Sequence, residues 1–89
     1  MPGPIHKPIA DSAPTEGHIT DYDRAHIAVY LRILDAASEG AKWEEVAEIV
    51  LGIDPVAEPQ RAKGAHDSHL ARARWLTEHG YRHLLTPAH

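Results

Sequence analysis

Cysteine is absent from this 89-residue chain, which excludes a disulfide framework, a thiolate metal site and a cysteine nucleophile. Long apolar runs are absent as well, and no stretch approaches the ~20 apolar residues that a membrane-spanning helix needs. The opening Met1-Pro2-Gly3-Pro4 has neither a basic n-region nor an apolar h-region, so no signal peptide is expected and the chain reads as cytoplasmic. The sequence also lacks a glycine-rich phosphate loop, a nucleophile elbow and a His-Glu-x-x-His pair. A non-enzymatic module without a cofactor is therefore expected, since so short a chain has little room for a concave pocket. There is enough chain for one domain, and a domain of about 65 residues buries only roughly 60% of its unfolded surface.

Histidine, by contrast, is plentiful, with eight residues. His66 and His69 are spaced i, i+3, and His79 and His83 are spaced i, i+4. A zinc site needs three or four converging ligands with supporting partners. His79 and His83 straddle Gly80, where a helix should end, and His69 falls on an apolar face, as a hydrogen-bonded core histidine would. No metal site is expected.

The net charge of −4 conceals an uneven distribution. Residues 20–58 carry nine acids against Arg24, Arg32 and Lys42, whereas residues 59–89 carry Arg61, Lys63, Arg72, Arg74 and Arg82 against Asp67 and Glu78. An acidic middle with a mildly basic end suits a protein-facing surface better than a DNA backbone.

The pattern of apolar residues predicts an all-α fold, a small helix-turn-helix bundle. Residues 1–19, with four prolines, two glycines and no apolar period, read as a flexible tail. The first helix is expected over residues 21–38, opened by Thr20 with Asp23 three positions on and closed before Gly40. Ile27, Tyr30, Leu31 and Leu34 give it a core stripe. A second helix over 42–51 places Trp43, Val46, Ala47, Val50 and Leu51 inside and Glu44, Glu45 and Glu48 outside. Asp54-Pro55 marks a short helical turn near 54–58. The third main helix, 59–79, turns Ala62, Ala65, His69, Leu70, Ala73 and Leu76 inwards. A further short turn is expected near 81–85, with residues 86–89 frayed.

Two features suggest binding surfaces. Tyr22, His26, Val29, Ile33 and Ala36 form a second apolar stripe on the first helix. A three-helix domain normally covers one side of a helix, so this stripe is either a partly exposed interface patch or is covered by a turn at Leu84 and Leu85. Trp75 points away from the alanine face and is either an interface anchor or covered by residues 81–85. For DNA, the early residues of the third helix, Gln60, Arg61, Lys63 and Gly64, would read bases while the preceding helix crosses the backbone. That crossing helix presents Glu44, Glu45 and Glu48, and Lys63 and Arg74 each have an acid four residues on. Strong DNA binders make about six to ten phosphate contacts, and this segment has five basic side chains.

Several blocks in order, among them Asp21-Tyr22-Asp23-Arg24-Ala25-His26, Tyr30-Leu31-Arg32-Ile33-Leu34-Asp35-Ala36, Glu39-Gly40-Ala41-Lys42-Trp43-Glu44-Glu45-Val46-Ala47, Ile53-Asp54-Pro55 and Ser68-His69-Leu70-Ala71-Arg72-Ala73-Arg74-Trp75-Leu76, resemble the DUF2285 family over about residues 20–85. The resemblance implies a helix-turn-helix variant found in activators of integrative and conjugative elements, where it is paired with a second domain and binds excision promoters. A stand-alone acidic member is similar to antiactivators, which bind a LuxR-type quorum-sensing activator and a DUF2285-containing excision activator. The leading expectation is such an antiactivator, a monomer when free. Its protein contacts would be Tyr22, His26, Val29, Ile33 and Trp75, with Glu44, Glu45 and Glu48 steering towards basic partners, and its DNA binding would be weak or absent. The competing expectation is a sequence-specific DNA-binding regulator using Gln60, Arg61, Lys63, Arg72 and Arg74.

Overall fold

A computed structural model describes residues 9–80. Four helices and no strand occur among them: α1 (Asp21–Ala25), α2 (Ile27–Ser38), α3 (Trp43–Val46, continuing as a π-helical turn over Ala47–Leu51) and α4 (Pro59–Trp75, continuing likewise over Leu76–Gly80). The all-α bundle expected from the periodicity is present. The turn expected near 81–85 and the frayed end at 86–89 lie outside the described residues.

Thr20 starts α1 through a reciprocal cap. Its hydroxyl accepts from the Asp23 N–H, and the Asp23 carboxylate accepts from the Thr20 N–H, which satisfies donors that a helix start leaves orphaned. The single helix predicted over 21–38 is broken at His26 (φ −121°, ψ 24°). The cause is local competition for a carbonyl. The His26 ring Nδ1–H donates to the Tyr22 carbonyl at 2.7 Å, the acceptor that an unbroken helix would give to the His26 N–H. That N–H bonds to the Asp23 carbonyl instead, and the imidazole stacks on the Tyr22 ring with centroids 3.9 Å apart.

Gly40 (φ 76°) and Gly52 (φ 73°) close α2 and α3 in the left-handed conformation that glycine adopts without strain. The Ala41 N–H reaches back to the Ala36 carbonyl and the Gly40 N–H to that of Ala37, a Schellman motif.

The interior has two adjoining parts. Tyr30, Ile33, Val46, Ala73 and Leu76 form one, and Ala47, Leu51, Ile53, Ala62 and Ala65 form the other. Ala62, Ala65 and Ala73 are fully buried, and their small side chains let α4 run close to its neighbours. The inner face read for α4 therefore holds. The core stripe read for the first helix does not hold throughout, because Leu31 is 56% exposed.

Residues 9–19 depart from the flexible tail expected of them. They form an arm packed along one flank of α4. The Ala13 N–H donates to Ser68 Oγ, and the Arg72 guanidinium donates to the Glu16 and His18 carbonyls. Ile9 and Ile19 pack against the two halves of the core, and Ala13 is buried. The four prolines and two glycines of residues 1–19 suggested no reason to order, but most of the donors and acceptors that order residues 9–19 belong to residues about fifty positions away.

Candidate nucleic-acid interface

The segment between α3 and α4 is built by Asp54. Its carboxylate accepts from the Val56 and Ala57 N–H groups at 2.8 and 3.2 Å, and its carbonyl accepts from the Glu58 N–H. This single helical turn, with Pro55 inside it, sets the direction in which α4 departs. Pro59 then occupies the first position of α4, where its missing N–H costs nothing and its fixed φ suits a helix.

Three flanks of α4 have different fates. The inner flank is core. A second flank, carrying Arg61, Ser68 and Arg72, meets the arm. The remaining flank carries Gln60, Lys63, Gly64, Asp67, Ala71 and Arg74, all exposed. A Cβ built on Gly64 would meet no atom within 4 Å. Glycine in a helix interior costs about 1 kcal/mol relative to alanine, and packing within the domain does not require it here.

The cations at the start of α4 have defined partners. Arg61 Nε donates to Asp11 at 2.7 Å, and Arg61 Nη1 donates to Glu58 at 3.0 and 3.1 Å. The Asp11 bond, then that of Glu58, raises the Arg61 pKa. Lys63 pairs with Asp67 at 3.1 Å, as its i, i+4 spacing suggested, and sits 5.4 Å from the Trp43 ring centroid. Trp43 thereby joins the start of α3 to the exposed side of α4. His66 also contacts Asp67, and this bond, ahead of that from Lys63, lowers the Asp67 pKa.

Arg72 does not belong to this surface. Expected as a DNA-facing cation, it is 4% exposed and pairs with the fully buried Asp23 at 2.7 Å. Burial pushes the Asp23 carboxyl up, but hydrogen bonds from Arg72, Thr20 and Tyr30 outweigh it and hold the group at about 2. The same burial, with the carboxylate it donates to, pushes the Tyr30 hydroxyl up. Asp23, expected only as a helix cap, is also the anion of a buried ion pair. A signal was available: Arg72 lies three residues after His69 and seven after Ala65, beside the inner face.

The protein-contact stripe is also largely interior. Ile33 is fully buried and His26 is 4% exposed. Tyr22 and Val29 are half-buried and pack on the two halves of the core. The acidic helix and α4 cover the stripe between them, because α2 lies across both and has no free apolar side there. Trp75 is half-buried, with the Arg72 guanidinium 4.2 Å from its ring centroid and His79 stacked beside it. Glu44, Glu45 and Glu48 are exposed as read.

His66 and His69 do not converge. His69 is fully buried; its Nδ1–H donates to the Ala65 carbonyl at 2.7 Å, and its Nε2 accepts from the Tyr22 hydroxyl. Burial, above all, lowers the His69 pKa. His83 lies outside the described residues. Among the described residues no helix is long and apolar enough to cross a membrane.

Residues 5–86 match a known family, described as the T6SS transcription factor DNA-binding domain. The chain belongs to that family. No curated protein matches the sequence. Membership of the T6SS transcription factor DNA-binding family overturns the expectation that DNA binding is weak or absent. A count of acids and bases over the segments 20–58 and 59–89 carries no distances, whereas a phosphate senses charges within about 10 Å. The match supports a small DNA-binding regulator and lends nothing to the DUF2285 assignment, to antiactivation, or to quorum-sensing and excision partners.

Proposed function

We propose that the chain is a sequence-specific DNA-binding domain of a transcriptional regulator, with α4 as its recognition helix. The observation that carries this reading is the exposed flank of α4, which neither core nor arm covers, in a chain whose family binds DNA. Gln60 and Lys63 stand at its N-terminal end, where a recognition helix meets base edges. Gln60 suits an adenine edge and Lys63 a guanine. Gly64, one turn on from Gln60, lets the backbone approach the groove floor without a side chain between. Arg61 and Arg74 flank this strip and are placed for phosphates. Fixed binding geometry comes from the Asp54 turn behind the strip and from the alanine contacts beneath it.

Selection from a random duplex pool, followed by titration against the selected site, tests the reading. Gln60→Ala should cost about 1–3 kcal/mol of discrimination at one base pair. Arg74→Ala should weaken binding to all duplexes alike and make the salt dependence shallower by about one unit. If no duplex is retarded even at low salt, the reading fails.

A further inference from the structure

The arm reaches the start of the recognition helix at one charged contact. Asp11 Oδ1 lies 2.7 Å from Arg61 Nε, and the Glu58 carboxylate lies 3.0 and 3.1 Å from Arg61 Nη1. A guanidinium offers two edges for bidentate binding of a phosphate: Nε with Nη2, and Nη1 with Nη2. Asp11 occupies a donor of the first edge and Glu58 a donor of the second. Neither edge is open to a phosphate while both carboxylates remain. The Arg61 side chain is nevertheless 42% exposed and that of Asp11 71% exposed, so the site is within reach of a ligand in solution.

Resting on the DNA-binding reading above, we propose that the arm is a built-in electrostatic brake: Asp11 keeps the Arg61 guanidinium from the DNA backbone until a bound duplex displaces it. One cation between two carboxylates gives the cluster a formal charge of −1, which repels a duplex at long range. Glu58 is fixed there by its place at the helix start, one residue before Pro59. Asp11 is the movable member, since it belongs to the arm and its side chain is largely exposed. Anchors of the arm lie on both sides of it, at Ile9 and Ala10 before it and at Ala13, Glu16 and His18 after it. The exposed Asp11 side chain can therefore turn away about its own torsions while the arm on either side of it stays docked. The cost of displacing it falls on every duplex equally, so it lowers all affinities by the same factor, leaves their ratio unchanged, and takes the weak, non-specific complexes out of the working concentration range first.

The test uses the full chain and a fluorescein-labelled mixed-sequence duplex, titrated by anisotropy at about 50 and 150 mM salt. Asp11→Asn should tighten binding about three- to tenfold at the lower salt and steepen the salt dependence by up to about one phosphate. It should leave the melting curve nearly unchanged, because the Ala13, Glu16 and His18 anchors remain. In an Arg61→Ala background the Asp11→Asn gain should fall below about twofold, since the two residues then no longer couple. A gain of equal size in both backgrounds would mean that Asp11 acts only through overall charge, and the brake is overturned. Wild-type binding with no gain in Asp11→Asn also overturns it while leaving the DNA-binding reading intact. No binding by any variant removes both.

Discussion

Replacing Arg72 with methionine keeps much of the length and apolar stem of the side chain and removes every guanidinium donor. Asp23 then stays in the interior at 0% exposure with bonds from Tyr30 and Thr20 but without its counter-charge, and the Glu16 and His18 carbonyls lose their donors. Removing one partner of a buried ion pair costs about 3–5 kcal/mol. A domain of this size has a total stability of roughly 5–10 kcal/mol, so about half of it is at stake. With a urea m-value near 1 kcal/mol/M, the unfolding midpoint should fall by about 3 M or more. Asp23→Asn combined with Arg72→Met should recover part of the loss, because no unpaired charge remains. The pair also has a pH signature. The Asp23 carboxyl sits at about 2 in the folded chain against an ordinary 3.8, a difference of about 2 kcal/mol. A depressed carboxyl stabilises the fold fully above pH ~4 and loses that contribution as pH falls through 2. Acid should therefore cost the wild type more than the double variant. Circular dichroism in urea at neutral and acid pH measures all of this. If Arg72→Met unfolds within about 1 kcal/mol of wild type while DNA binding loses one phosphate from its salt slope, Arg72 faces DNA and the buried-pair account is refuted.

Three other outcomes are expected. His69 is held neutral by burial, so its lowered pKa stabilises the fold above the ordinary value of 6.5; the melting temperature should fall between pH 7 and 5, and fall less in His69→Gln. Gly64→Ala should raise stability by about 0.5–1 kcal/mol, while weakening DNA binding if α4 approaches the groove there; a gain in both would place the contact elsewhere. Ile33→Ala should cost about 2–4 kcal/mol in urea unfolding, whereas a cost under 1 kcal/mol would return Ile33 to the surface.

Repeating apolar positions and the capping residues determined where most helices lie. Thr20, Gly40, Gly52 and Asp54 each act on the backbone within a few residues of themselves, and so could be read without knowing the fold. The inner face of α4 was legible for the same reason, as alanines at helical spacing leave one side to bury. Two local facts were hidden even so. The break at His26 depends on which donor wins the Tyr22 carbonyl, and a side-chain conformation decides that. The π-helical turns add no pattern to the sequence.

Only the tertiary structure decided which charges are surface charges. Arg72 and Asp23 are 49 positions apart, and a count of acids and bases treats them as it treats Glu44 or Arg74. Arg61 looked free because Asp11 is fifty residues distant, on a segment whose composition argued for disorder. The arm was undervalued because its order comes from Ser68 and Arg72, which give it hydrogen bonds that prolines and glycines cannot supply to one another. Local propensity is written in neighbouring residues. The charge that a duplex meets on α4 is set by which distant carboxylates the fold brings within 3 Å of a guanidinium.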